Sequence, residues 1–221
     1  MRKVEVTKMN KKYLVTALAI LPLLIFHSLT YAGTFTAFEP KTFVRGSGTP
    51  VAETTSFSIK NPNTTYTMHI YNGGYDSEYS SVSSAVITLN GTAIFTTSDF
   101  NQKVAHLQKE ITLSIYNNLQ VDLRSSPASA VTIIIEGVDN TPPLIDISLP
   151  VNNSYLNAPS ITVTGNADDA ISWISQVTVN GAIAPISNGT YSLPVNLVEG
   201  INSIIVTATD AGVMPLKMEG R

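Results

Sequence analysis

Cysteine is absent from the 221-residue chain, which excludes disulfides, thiolate nucleophiles, Cys-ligated zinc and the lipidated cysteine of a lipoprotein. Charge is sparse. Only 13% of residues are Asp, Glu, Lys or Arg, about half the ~25% of an average domain. Histidine is scarcer still: beyond residue 32 there are His69 and His106, 37 positions apart and without an acidic motif beside them. A histidine-based metal or acid–base site is therefore poorly supplied in the linear sequence. No GxSxG, HExxH, GxGxxG or P-loop pattern occurs, so the recognisable hydrolase, metalloprotease, dinucleotide and nucleotide-triphosphate signatures are missing. What the chain has in quantity is Ser, Thr, Asn, Gly, Val and Ile, the material of strands and tight turns.

The chain opens on Arg2, Lys3, Lys8, Lys11 and Lys12, followed by an uncharged run, YLVTALAILPLLIF, from Tyr13 to Phe26, and then HSLTYAG. That order of basic, apolar and small-residue regions predicts an export signal, a signal helix cleaved after Ala32 with Thr30 and Ala32 at the minus-three and minus-one positions. A run of 14 residues broken by Pro22 falls short of the ~20 that a membrane-spanning helix needs, so membrane contact is expected only in transit. Met9 heads a more compact version of the same signal and is an alternative start. Removal of residues 1–32 leaves 8 basic against 15 acidic side chains, a net charge of −7. Eight scattered cations cannot form the clustered positive surface that nucleic acid requires, so no nucleic-acid partner is expected.

After residue 32 apolar side chains recur at every second position: Ala85, Ile87 and Leu89; Val121 and Leu123; Ile133 and Ile135; Ile161 and Val163; Val177 and Val179; Ile204, Val206 and Ala208. This is the pattern of half-buried antiparallel strands. Asn-Gly pairs at 72–73, 90–91, 180–181 and 188–189 supply the positive backbone angles of two-residue hairpins, most securely in VITLNGTAIF and VTVNGAIAPI. LQVDLR and VTIIIEG, separated by Ser125-Ser126-Pro127, are expected to form another hairpin. Asn101 to Glu110 reads as a loop followed by a strand, in preference to a short helix. The expected fold is thus all-β, with two antiparallel β-sandwich modules in tandem. Pro142 and Pro143 stiffen the connector GVDNTPPLID, dividing an all-β sandwich-like domain at 34–138 from a second domain at 141–221.

In the second domain TPP at the entrance, SITVTGNADD, VTVNG, NGTYSLPVNLVEGIN and IIVTATDAG follow one another over residues 141–212. In order and spacing these elements resemble the bacterial Ig-like modules related to glucodextranase domain B. The resemblance implies an antiparallel sandwich without catalytic residues, used as a spacer or interaction module in exported proteins and beside glycoside hydrolases. Residues 34–138 resemble, more loosely, the all-β segments that precede such modules, and no activity comes with that resemblance. The family's closing strand after the TDAG element is replaced here by VMPLKMEGR, in which Leu216 and Met218 make at most a stub, so the last strand is expected to be missing or vestigial. An open sheet edge would result. A shortened copy of a longer modular protein, a strand supplied by a partner, and a stable minimal domain are the three explanations.

Two groups of residues are candidate sites. Asp139, Asp168, Asp169 and Asp210 collect at module ends, where oxygen-rich loops can hold calcium, or else cap turns through their own backbone. No other cofactor is expected. Tyr71, Tyr75 and Tyr79, with Asp76 and Glu78 nearby, are the rings and acids of a carbohydrate site or ordinary loop material. Trp173, the sole tryptophan, reads first as a core plug between the sheets and second as an exposed sugar-stacking platform. The expected role is a non-catalytic secreted or cell-surface structural or adhesive protein, the alternative a carbohydrate-binding accessory module. Its partners would be an extracellular protein or a polysaccharide.

Overall fold

The computed structural model describes residues 13–19, as backbone, and residues 33–213. In chain order the strands are β1 (Tyr13–Ala19), β2 (Gly33–Val44), β3 (Glu53–Ser58), β4 (Tyr66–Asn72), β5 (Ser80–Ser81), β6 (Ala85–Leu89), β7 (Thr92–Phe95), β8 (His106–Ile111), β9 (Tyr116–Leu123) and β10 (Ser129–Asp139). They continue with β11 (Leu144–Ile145), β12 (Ser154–Leu156), β13 (Ser160–Asp168), β14 (Ile174–Val179), β15 (Ala182–Ala184), β16 (Ile186–Ser187), β17 (Thr190–Asn196) and β18 (Gly200–Asp210). A single 3-10 turn follows at Ala211–Val213. The protein is all-β, as its period-two patterning predicts, and the described residues form two compact units, 33–140 with 211–213 and 13–19 with 141–210.

In the first unit one sheet has the order β2-β10-β4-β8, with β5 on β10, and the other β3-β9-β6-β7. β4 shows why these residues are strands: its burial alternates strictly from Tyr66 to Asn72, so Tyr66, Met68 and Ile70 enter the core while Thr67, His69 and Tyr71 face outward. Ile133 and Ile135 of β10, and Ile87, Leu119 and Val121 of the second sheet's strands, are fully or nearly fully buried. The stretch 101–110 is a loop and then β8, as expected.

One expected hairpin does not exist. β9 pairs with β3 and β6, whereas β10 pairs with β2, β4 and β5. The Ser125-Ser126-Pro127 turn, with Ala128 at φ 65°, instead carries the chain from one sheet to the other. Both strands are apolar on their inner faces, so local pattern cannot distinguish pairing within a sheet from arching across the core. Three Asn-Gly pairs do turn with both residues at positive φ: Asn90-Gly91, Asn180-Gly181 and Asn188-Gly189. Asn72 instead ends β4, and Gly73 and Gly74 take the positive angles, 101° and 89°.

The second unit pairs a sheet of order β11-β13-β17-β16 with one of order β12-β1-β18-β14-β15. Val163, Val177, Val179, Tyr191, Ile204 and Val206 form its core, and Leu197 turns inward as expected. Trp173 is not the core plug: it is 51% exposed, and Tyr191, fully buried, holds the aromatic place. The Tyr191 hydroxyl donates to the Asp146 carbonyl at 2.6 Å. Gly165 lies beneath that bond, where any Cβ would collide with both partners.

Residues 13–19, expected in a signal helix, are a strand. β1 runs parallel to β18, from Tyr13 opposite Gly200 to Ala19 opposite Val206, and antiparallel to β12, from Tyr13 opposite Leu156 to Val15 opposite Ser154. It lies along one edge of β18. Uncharged YLVTALA suits a strand as well as a signal core, and the backbone donors and acceptors of an open edge are satisfied by pairing with it. The rest of the expected signal, and the Leu216–Met218 stub, lie outside the described residues.

Candidate functional site

The outer face of the first unit's β2-β10-β4-β8 sheet carries the richest side-chain chemistry among the described residues. In the β4–β8 register Tyr71 stands opposite His106, and in the β4–β10 register His69 stands opposite Ile134 and Thr67 opposite Glu136. The rings follow from that register. Tyr71 and His106 have centroids 4.8 Å apart; His69 and His106 stack at 5.4 Å with planes 10° apart. His69 Nδ1 lies 3.3 Å from His106 Nε2, and His69 Nε2 lies 3.5 Å from Glu136 Oε2. The histidines that sequence distance separates thus form one chain with a carboxylate.

The loop after β4 completes the site. Asn72, buried at the strand's end, donates to the carbonyls of Val82, Asn101 and Val104 and accepts the Val82 amide at 2.6 Å. One side chain therefore anchors the loop after β4, the segment that follows it and the loop before β8. Gly73 and Gly74, in left-handed conformations, reverse the chain so that the Tyr75 ring comes to 4.6 Å from that of Tyr71, tilted by 50°. Tyr79 folds against Gly74 instead and is not in the groove. The result is a groove of about 350 Å³ walled by Glu39, His69, Tyr71, Tyr75, Ile134 and Glu136.

Electrostatics follow from partial burial. His69 is held below the ordinary histidine value, first by desolvation, with His106 adding to the effect and Glu136 opposing it. The Tyr71 hydroxyl is pushed up, again first by burial and then by Tyr75 and Glu136. The groove therefore brings imidazole and phenol rings together with the carboxyl groups of Glu39 and Glu136. A larger depression nearby, about 590 Å³ and lined by Thr64, Asn90 and Ile94, has Glu110 as its one ionisable side chain.

The aspartates divide between the units. Asp139 ends β10, buried, where its charge raises the Tyr66 hydroxyl. Asp168 is exposed at the end of β13. Asp169, 1% exposed, accepts the amides of Ile171 and Ser172 at 2.8 Å each and so caps a turn. Within the same unit a carboxylate oxygen of Asp169 and one of Asp210, also buried, lie within 4.8 Å. Trp173 stands half exposed just before β14.

Comparison with known proteins addresses the second unit. Residues 143–216 match the family model of glucodextranase, domain B. The matched segment takes in β11 to β18, including the Tyr191–Asp146 bond and the Asp169–Asp210 pair. No curated protein matches the chain. A solved structure of dimeric latent PorU from Porphyromonas gingivalis is 13% identical, with a TM-score of 0.25; the match covers 74% of this chain and 19% of that one.

Proposed function

We propose that the protein is a non-catalytic, exported binding module that presents the Tyr71–Tyr75 groove to a polysaccharide, as a surface adhesin or an accessory module of a polysaccharide-degrading system does. The observation that carries this reading is the tilted ring pair, 4.6 Å apart, at the wall of a groove with carboxylates on it. Aromatic faces bury the C–H faces of sugar rings, and carboxylates accept hydroxyl protons. The glucodextranase B segment, a domain without catalytic residues, agrees with a binding role. Pull-down on insoluble polysaccharides tests it. The wild-type chain should be retained, the Tyr71→Ala/Tyr75→Ala double variant released, and Trp173→Ala retained; loss through Trp173 alone, or retention of the double variant, would sink the assignment.

A second reading concerns calcium in the glucodextranase B segment. Asp169 and Asp210 are a close buried pair. Carboxylate oxygens that lie this close together are the ligands calcium takes. Millimolar calcium should raise the thermal midpoint, and Asp210→Asn should abolish the rise. An unmoved wild-type midpoint leaves Asp169 as a turn cap alone.

A further inference from the structure

The groove has a charge character that a general sugar site does not need. Its wall includes Glu39 and Glu136 and neither Lys nor Arg. The lysines of the adjoining strands are directed elsewhere: Lys41 binds Glu53 and Thr55 and lies over Phe43, while Lys109 binds Asp99 and lies over Phe95. Glu136 has His69 at 3.5 Å, and burial, against the pull of Glu136, disfavours the charged form of that ring. Two tyrosine faces and two carboxylates around one groove are the combination that attracts a cation, through the ring quadrupoles and through charge-assisted hydrogen bonds.

We infer that the groove selects a positively charged amino sugar, a glucosamine-type residue with a free ammonium group, over its N-acetylated or neutral counterparts. The inference rests on the carbohydrate reading above and narrows it. The ammonium group would be held at Glu136 and Glu39 while Tyr71 and Tyr75 pack on the ring. A groove of about 350 Å³ lies within the ~300–1,000 Å³ range of small-molecule sites, more room than a lone ammonium head fills. A lysine side chain offers the same cation without the pyranose face, and this chemistry favours the sugar because the two rings give that face something to bury.

Calorimetric titration of the full chain, slightly below neutral pH, compares a tetramer of free glucosamine with the N-acetylated tetramer and a lysine tetrapeptide. The free-amine sugar should bind at least about tenfold more tightly than the acetylated one, about 1.4 kcal/mol. Glu136→Gln, which keeps shape, should erase that preference, and Tyr71→Ala should weaken both sugars. Glu199→Gln, in the other unit, should change neither. Equal or tighter binding of the acetylated tetramer overturns the amino-sugar assignment and leaves the carbohydrate reading standing. Tighter binding of the lysine peptide than of either sugar overturns it too, in favour of a protein ligand, and binding of neither sugar removes both readings. If Glu199→Gln costs as much as Glu136→Gln, the attraction is only the net charge of an acidic protein, and the inference fails.

Discussion

Tyr66 and Tyr191 show what single buried residues do for this fold. Each ring is fully buried, and each hydroxyl makes a 2.6 Å bond to a backbone carbonyl, Asn61 in one unit and Asp146 in the other. Burial first, and then the charges of Asp139 and Asp146 respectively, push both hydroxyls up to about 12. A group whose native value lies above its unfolded value, about 10 for tyrosine, stabilises the fold fully below that unfolded value. The contribution is lost as pH rises from about 10 through about 12. In an alkaline absorbance titration Tyr66 and Tyr191 should ionise last, together with loss of structure. Removing both, as Tyr66→Phe/Tyr191→Phe, should separate the end of the titration from unfolding. The sequence gives no hint which of nine tyrosines these are, because alternation marks a face but not the carbonyl a hydroxyl meets.

At the scale of elements, β18 is paired in two halves. Gly200 to Val206 lie against β1, and Val206 to Asp210 against β14. Cleavage of an export signal after Ala32 would take β1 away and leave the first half without a neighbour in its ladder, while the second half keeps one. Amide hydrogen exchange should then rise sharply over residues 201–204 in the processed chain compared with the uncleaved one, and stay low over 207–209. Equal protection in both forms would show that β1 contributes nothing to the sheet. Strand identity was legible in the alternation of apolar residues, and the turns in three Asn-Gly pairs. Pairing was not: β9 and β10 are neighbours in sequence and partners to other strands, and YLVTALA satisfies the demands of a signal core and of a strand alike.

At the scale of the whole chain, the acids and the rings sort by tertiary register. Tyr71, Tyr75 and the candidate aspartates were visible as residue types, yet the groove also depends on His69, His106, Glu136 and Glu39, which come from four strands. A signal for part of it existed: in an alternating strand such as YTMHIYN, His69 and Tyr71 must share a face. That His106 and Glu136 join them follows only from the registers of β8 and β10 on β4. Trp173, read first as a core plug and second as an exposed platform, is half exposed, and the fully buried aromatic of the second unit is Tyr191.

Composition and periodicity by themselves determined that this is a cysteine-free, acidic, all-β protein with an apolar leader-like run, because those properties are sums or short-range patterns along the chain; the likeness of residues 143–216 to glucodextranase domain B was carried by the order and spacing of its motifs. Which strands pair, what lies along the β18 edge, and which rings and carboxylates meet in one groove were decided by tertiary structure. Cross-strand neighbours are chosen by core packing and backbone hydrogen bonding over long separations, and no local stretch of sequence encodes that choice.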